Sequence, residues 1–283
     1  MKFLFTSFLL LFFIFGATSQ ETESFFSFQQ KRLNAIGNDM VECLNESERL
    51  EALNLFQQYL DETLESDSSF ELSLLEKVKN LSILTPEDKK FKLITYAFRY
   101  DSDSFVFFGL LQFKDISKPL VRFVDKGYEL KNEQLREEVH DAGQWPGCLY
   151  YKLIEAGKKK DKYYVLLGWN GFTSFSNRKI IEVLSFDEEG APVFGKPVFN
   201  MNSHPVALPR VIFEYSNDAV MALHYEKQKN LIAFEYLHPP SPQAVGKFNL
   251  YLPDGTYDYL VYKKGIWQHN SMYFGDIKDA EKN

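Results

Sequence analysis

Cysteine and histidine, which build many catalytic and metal centres, are scarce in this sequence. Its 283 residues include two cysteines and five histidines, and two cysteines cannot form a disulfide framework. No two histidines are closer than 14 positions, so neither the i, i+4 pair of a zinc-binding helix nor a His-x-His pair on a strand is present. The motifs G-x-S-x-G and G-x-G-x-x-G are also missing. We therefore predict no metal site and no cofactor, and the lack of a catalytic constellation favours a non-enzymatic protein.

An excess of positive charge is also lacking. Lys and Arg number 32 against 39 Asp and Glu, and the formal net charge is −7. Because binding to nucleic-acid phosphates needs a basic surface, we predict no nucleic-acid partner. The stretch from Gly190 to Lys196 has the spacing of a phosphate-binding loop, but Pro197 stands where the magnesium-binding Ser or Thr belongs. Two turn glycines explain this pattern better than a nucleotide site does.

A long apolar run occurs only at the start of the chain. Lys2 precedes the apolar run from Phe3 to Phe15, and small residues follow up to Ser19. This layout is typical of a secretory signal peptide over residues 1–19, with cleavage before Gln20. The run is shorter than the roughly 20 apolar residues of a membrane span, and no later stretch reaches that length. The sequence predicts an exported, soluble mature protein, periplasmic or extracellular, with no membrane span.

Residues 20–69 are predicted to form a helical N-terminal segment. From Ser24 to Ile36 the apolar residues recur at close to helical spacing. Asn45 can cap a second helix, and Glu48 stands three positions later, as in a capping box. Apolar residues between Leu50 and Leu64 then fall on one face of that helix.

Residues 70–283 are predicted to form an antiparallel β domain, because the apolar period changes to two. The clearest hairpin signal is the pair Phe91–Arg99 and Phe105–Phe113 around the polar turn at 100–104. Turn formers such as Pro253-Asp254-Gly255 separate the other candidates. The remaining predicted strands are Leu120–Val124, Cys148–Ile154, Tyr163–Trp169, Lys179–Ser185, Val193–Phe199, Val211–Tyr215, Val220–Tyr225, Leu231–Tyr236, Phe248–Leu252, Tyr257–Tyr262 and Ile266–Tyr273.

The predicted fold class is α+β, mostly antiparallel β. Short strands without long crossovers between them favour antiparallel pairing. The short helical segment is expected to pack on a large β body, which is a curved sheet, a sandwich or a barrel-like meander. The sequence leaves these three alternatives open.

Six strings of residues stand out in the β part of the chain. They are Leu84-Thr85-Pro86-Glu87-Asp88, Trp145-Pro146-Gly147-Cys148-Leu149-Tyr150-Tyr151, Leu166-Leu167-Gly168-Trp169-Asn170-Gly171, Lys179-Ile180-Ile181, Phe213-Glu214-Tyr215-Ser216 and Leu252-Pro253-Asp254-Gly255-Thr256-Tyr257-Asp258. In this order and spacing they resemble a family of exported bacterial proteins, from the Bacteroidetes, that has no assigned activity. The resemblance covers most of the chain from about residue 70. It implies export and a β-rich body, and it supplies no functional residue.

Five residues are candidates for ligand binding. Trp145, Trp169 and Trp267 lie near predicted strand ends, where an exposed indole can stack on a sugar ring or hold a peptide. A Trp beside a turn more often closes the end of a β core, so both interpretations stay open. Asp254 and Asp258 can approach a cation, although Pro-Asp-Gly forms a turn without one.

The two cysteines, Cys43 and Cys148, allow a single disulfide. An oxidising compartment permits the bond, whereas free cysteines are often simply buried. The sequence does not decide between the two states.

The preferred functional hypothesis is an exported, non-enzymatic protein that binds a ligand or a protein partner at the cell envelope. It rests on the missing catalytic motifs and on the aromatic content of 16%. One alternative is a hydrolase that acts on envelope glycan or peptide through dispersed carboxylates. A second alternative is a structural or assembly role.

Overall fold

A computed structural model describes residues 24–66, 69–71, 73–158 and 161–271. The predicted signal peptide, residues 1–19, lies outside these described residues. Within them, no helix combines the length and the apolar character that a membrane crossing requires.

Two helices begin the described chain, as the sequence predicts. Helix α1 covers residues 24–42, and α2 spans Glu46–Leu64. The side chain of Asn45 caps α2, because its Oδ1 accepts a hydrogen bond of 2.8 Å from the backbone N–H of Glu48. The buried face of α2 includes Phe56 and Leu60. A short helix, α3, follows at Asn132–Glu137.

The first of three sheets lies against α1 and α2 and is called here the helix-side sheet. Its four antiparallel strands run in the order of the chain. They are β1 (Ser82–Leu84), β2 (Phe91–Arg99), β3 (Phe105–Phe113) and β4 (Val121–Phe123). The predicted hairpin of β2 and β3 is confirmed residue for residue, and its turn is closed by the bond from Tyr100 N–H to the Ser104 carbonyl, 2.9 Å.

The second sheet, called the central sheet, has six strands. They are β5 (His140–Asp141), β6 (Leu149–Ala156), β7 (Tyr163–Asn170), β8 (Ser176–Phe186), β9 (Pro192–Phe194) and β11 (Val211–Ser216). The path β5-β9-β8-β7-β6 is antiparallel, and β11 pairs with the first half of β8. Strand β7 is buried along nearly its whole length, which is the pattern of a strand covered on both faces.

The third sheet, called the C-terminal sheet, has the order β10-β15-β14-β13-β12. Its strands are β10 (Phe199–Asn200), β12 (Leu223–Glu226), β13 (Leu231–His238), β14 (Leu252–Lys263) and β15 (Ile266–Asn270). Among the named strands of the described chain, only β10 and β15 pair in parallel.

Three hydrophobic cores join these elements into four stacked layers. The helices pack on one face of the helix-side sheet through Phe56, Ile94 and Tyr96. The other face of that sheet meets the central sheet, and the central sheet meets the C-terminal sheet across a third core. The fold is therefore α+β and mostly antiparallel, with the helices on stacked sheets rather than on one curved sheet.

Two predicted strands need correction. The stretch Val193–Phe199 is not one strand, because Gly195 adopts a positive φ of 101° and Pro197 follows. The chain leaves the central sheet after β9 and joins the C-terminal sheet at β10. At 248–250 a 3-10 turn replaces the predicted strand Phe248–Leu252.

The predicted turn at Pro253-Asp254-Gly255 lies inside strand β14. Asp254 Oδ1 accepts a hydrogen bond of 2.8 Å from the backbone N–H of Thr256, and Gly255 has φ 81°. The register of the β13–β14 pair shifts opposite this point, between Glu235 and Leu237. The turn chemistry is present, but the strand continues through it as an irregularity in the ladder.

Candidate functional site

A cleft of about 590 Å³ opens where turns of the helix-side and central sheets meet. This volume falls within the range of small-molecule sites, roughly 300–1,000 Å³. Strands β2 and β3 bring two of its walls together, because Phe91 and Phe113 are directly opposite in the ladder. The lining consists of Asp88, Lys89, Lys90, Phe91, Phe113, Lys114, Asp115, Lys118, Lys162, Tyr164, Phe186 and Gly190.

Four aromatic rings form the floor of the cleft. Phe91 meets Tyr164 edge to face, with ring centroids 5.0 Å apart, and meets Phe186 at 5.4 Å. Phe113 lies 6.0 Å from Phe186. Phe91 and Tyr164 are buried, whereas Phe113 and Phe186 are half-buried and keep apolar surface towards the cleft. The floor can therefore pack against an apolar or ring-shaped part of a ligand.

Lysines dominate the rim. The lining includes five lysines and two aspartates, in a chain whose net charge is −7. Two of the lysines have glutamate partners outside the lining: Lys114 Nζ lies 3.0 Å from Glu71, and Lys162 Nζ lies 2.8 Å from Glu155. The other three lysines face the two aspartates of the lining, which leaves one net positive charge at the rim.

Lys162 is held in place by carboxylates. Its ammonium also donates to Asp88 Oδ2 at 2.8 Å, so it bridges the turn before β2 to the start of β7. Burial alone would lower the pKa of Lys162, but the hydrogen bonds to Asp88 and Glu155 outweigh it and raise that pKa. Burial would likewise raise the pKa of Asp88, and the hydrogen bond from Lys162 lowers it instead. This network acts as a fixed wall of the cleft.

Lys89 and Lys118 differ from Lys162. Among the described residues, neither has a carboxylate oxygen within 4 Å of its ammonium group. The ammonium of Lys118 lies 5.1 Å from the centroid of the Phe113 ring. A Cβ atom at Gly190 would be 3.6 Å from the same ammonium, so the glycine leaves open space beside it. These two cations are available to a ligand.

The chain matches no family model, no curated protein and no solved structure. The site must therefore be judged on its own geometry.

The three tryptophans predicted as ligand contacts lie in or beside the cores. Trp145 is fully buried between the helix-side and central sheets, and its Nε1 donates to the Tyr150 hydroxyl at 3.0 Å. Trp267 is buried in the core under the C-terminal sheet. Trp169 is half-buried and contacts Phe105 edge to face at 5.2 Å. None of the three lines the cleft, and a ligand role for them stays a prediction.

The two predicted acids also have partners within the protein. Exposed Asp254 binds Thr256 as described above, and the hydrogen bond from the Thr256 hydroxyl lowers its pKa. Asp258 is buried and its Oδ2 lies 2.9 Å from His269 Nε2. Within the described ranges, no group of three or more His, Cys, Asp or Glu side chains is placed to hold a metal ion. A ligand role for either acid stays a prediction as well.

Both cysteines are free thiols in this structure. Cys148 is buried in the core between the helix-side and central sheets, where its Sγ donates to the Trp169 carbonyl at 3.4 Å. Cys43 lies between α1 and α2 and is half-buried. Burial raises the pKa of both thiols, and that of Cys148 much more strongly.

Proposed function

We propose that the protein is an exported, non-enzymatic binding protein of the cell envelope, and that its cleft takes a ligand with an apolar body and negative charge. The observation that carries the proposal is the combination of a half-buried aromatic floor and a lysine rim in a cavity of ligand size. Apolar walls with a few placed charged groups are the usual composition of small-molecule sites. The signal-like pattern of residues 1–19 supports export.

The charge distribution supports an anionic ligand. A chain with net charge −7 repels anions at long range, yet lysines outnumber aspartates by five to two around this cleft. A cationic concavity with low-dielectric walls focuses the field and attracts anions locally. Neither the Lys89 nor the Lys118 ammonium has a carboxylate oxygen within 4 Å among the described residues, so a ligand need not displace an existing ion pair.

The carboxylates of the cleft favour binding over hydrolysis. A general acid must hold its proton near the working pH, which requires a raised pKa. Asp88 has a lowered pKa for the reason given above, and a hydrogen bond from the Ser117 hydroxyl lowers the pKa of Asp115. Both aspartates of the lining are thus ionised, and neither is suited to donate a proton to a leaving group.

Thermal unfolding of the mature chain tests the proposal. A panel of amphiphiles with the same alkyl chain and an anionic, neutral or cationic head group is added in turn. A ligand at 100 times its Kd adds about 2.7 kcal/mol to the free energy of unfolding, which raises the midpoint by a few degrees for a chain of this size. We expect a shift with the anionic members only.

Matched variants locate the binding. Lys118→Glu reverses a charge on the rim, whereas Lys247→Glu makes the same change at an exposed residue that does not line the cleft. The shift should be lost with Lys118→Glu and kept with Lys247→Glu. Equal shifts for anionic and neutral amphiphiles, or loss of the shift in both variants, would contradict the proposal.

A further inference from the structure

We infer that the ligand of the cleft carries a phosphate monoester on its apolar body. The inference deepens the proposed function and rests on it: the cleft must first be a site for anionic amphiphiles. Two features of the lining favour a tetrahedral oxyanion over a carboxylate, and a third, its net positive charge, favours phosphate over sulfate.

The first feature is the type of cation. All five cations of the lining are lysines, and arginine is absent from it. A guanidinium offers a planar fork that pairs with two oxygens of a carboxylate or a phosphate at once, whereas lysine binds phosphate as a point charge. An ammonium is a compact charge with three donors, and it suits a tetrahedral group that accepts bonds from several directions.

The second feature is the direction from which the charges come. Lys89 belongs to the turn before β2, and Lys118 belongs to the turn between β3 and β4. Because β2 and β3 are antiparallel neighbours, both turns lie at the same end of the helix-side sheet. Two ammonium groups on separate turns can reach different oxygens of one phosphate, whereas a single carboxylate offers fewer acceptor directions.

The third feature is the amount of uncompensated charge. Lys162 and Lys114 are paired with glutamates, and Lys90 lies 3.6 Å from Asp88. Lys89 and Lys118 remain, and ionised Asp115, which also lines the cleft, offsets part of their charge. A phosphate monoester carries about −1.5 to −2 at neutral pH, so a rim of net positive charge attracts it more strongly than it attracts a singly charged group. A carboxylate or a sulfate monoester carries only one negative charge.

The apolar body follows from the floor. Phe113 and Phe186 are half-buried and lie directly below the rim, and Lys118 is held over the Phe113 ring. A bare phosphate ion would leave this aromatic surface in water. We therefore expect the phosphate to lie at the lysines and the hydrocarbon part to lie on the rings.

Calorimetric titration of the mature protein with four compounds tests the inference. They are octyl phosphate, octyl sulfate, octanoate and inorganic phosphate, each at pH 5.0 and pH 7.5. The second pKa of a phosphate monoester is about 6, so the dianion is the main form only at the higher pH. The lining residues include no histidine, the side chain that ordinarily changes charge in this interval. The carboxylates that face its lysines are Asp88, Asp115, Glu71 and Glu155.

We expect octyl phosphate to bind about fivefold more tightly at pH 7.5 than at pH 5.0 because its charge changes. The affinity for octyl sulfate, whose charge is constant, should change by less than about twofold between the two pH values. Inorganic phosphate should bind at least roughly tenfold more weakly than octyl phosphate because it makes no contact with the rings.

Variants assign the effect to residues. Lys118→Ala and Lys89→Ala should each weaken octyl phosphate by about tenfold and reduce its preference over octyl sulfate. Lys247→Ala, the exposed control, should leave both unchanged. Phe186→Ala should weaken octyl phosphate while inorganic phosphate keeps its affinity, and circular dichroism confirms that each variant is folded.

The possible failures are distinguishable. Equal binding of octyl phosphate, octyl sulfate and octanoate, without pH dependence, overturns the phosphate inference and leaves the proposed function standing. Failure of all three to bind overturns the proposed function itself. Binding to vesicles that contain phosphatidate, but not to octyl phosphate, overturns a cleft-sized ligand in favour of a membrane surface.

Discussion

The central sheet and the cleft treat charged side chains in opposite ways. In the central sheet, Arg210 and Glu182 form an ion pair in which both side chains are 0% exposed, with Nε and Oε2 2.7 Å apart. At the cleft, Lys89 and Lys118 are exposed. Among the described residues, no carboxylate oxygen lies within 4 Å of either ammonium group. The buried ion pair makes its hydrogen bonds within the protein, whereas the two exposed ammonium groups can still bind a ligand.

The buried pair is satisfied on all sides. Arg210 also donates to the backbone carbonyls of Leu135 and Glu138 near α3, and of Phe194 in β9. The second oxygen of Glu182 accepts a hydrogen bond of 2.9 Å from the Val183 backbone N–H. A buried charge that keeps this many partners is structural, because removing any partner leaves an unpaired charge in a low dielectric.

The comparison separates charges that hold the fold from charges that are free to bind. Satisfaction, rather than exposure alone, is the criterion: Lys162 is partly exposed but belongs with the structural charges, because two carboxylates already hold it. Substitutions that range from the buried ion pair to the lysines of the cleft test this distinction.

The largest effect is expected from Arg210→Met. It leaves Glu182 buried and unpaired and removes the donors to three carbonyls, so the free energy of unfolding should fall by about 3–5 kcal/mol. Urea denaturation measures the change. The double variant Arg210→Met with Glu182→Leu should recover part of the loss, since no buried charge remains. A loss below about 1 kcal/mol would show that water reaches the pair.

An intermediate effect is expected from Arg178→Met. Arg178 and Glu214 lie 2.9 Å apart with side-chain exposures of 5% and 13%, and the Ser176 hydroxyl also donates to Glu214. Because Glu214 keeps that bond and some contact with water, the loss in urea should be about 1–3 kcal/mol. A loss as large as that of Arg210→Met would contradict the expectation that the stability loss decreases as the ion pair becomes more exposed.

A small, pH-dependent effect is expected from Lys162→Met. Partly exposed pairs contribute about 0–1 kcal/mol. The pKa of Asp88 is lower in the folded chain than its ordinary value, so its contribution is present above the unfolded pKa of about 3.9 and disappears as the pH falls through the folded value. The stability difference between this variant and the parent should therefore shrink from pH 6 towards pH 3. A difference that grows on acidification contradicts the assignment.

No stability effect is involved in the last test, which compares the accessibility of the two thiols. A thiol reagent should modify Cys43 in the native protein and Cys148 only on unfolding, because Cys148 is buried and has the more strongly raised pKa. Mass spectrometry of a time course gives the order of labelling. Rapid native labelling of Cys148 would mean that the core between the helix-side and central sheets opens readily.

Local patterns in the sequence predicted most strands. They did not predict contacts between segments that are distant in the sequence. The pair Phe91–Arg99 and Phe105–Phe113 is visible because alternation and turn chemistry agree within 23 residues. The crossing from β9 to β10 is not visible, because it depends on which sheet Phe199 joins, and its partner Trp267 is distant in sequence. Stacking of the three sheets also depends on tertiary contacts, so the sequence left a curved sheet, a sandwich and a barrel-like meander open.

Part of the cleft is visible in the sequence as lysines beside two phenylalanines. Lys89-Lys90-Phe91 and Phe113-Lys114 flank the predicted hairpin at its open end, and antiparallel register places the two phenylalanines opposite each other. An aromatic pair bordered by lysines on both strands was thus readable. The contributions of Tyr164 and Phe186 were not, because they come from another sheet. The tryptophans that the sequence predicts as ligand contacts do not line the cleft, and two of them are core residues.

Both faces of the central sheet are buried, and the elements that cover them are synthesised at different times. This timing affects when the chain can aggregate. One of its faces is covered by residues that are made earlier, in β1 to β4, and the other by β12 to β15, which are made last. A nascent chain that ends near residue 215 would contain every strand of the central sheet but not the strands β12 to β15, which supply much of the cover for Val165, Leu167 and Val183. An apolar sheet face of this kind is a site of self-association. The last 50 or so described residues therefore cover this apolar face only at the end of synthesis, and self-association through it becomes less favourable from that point.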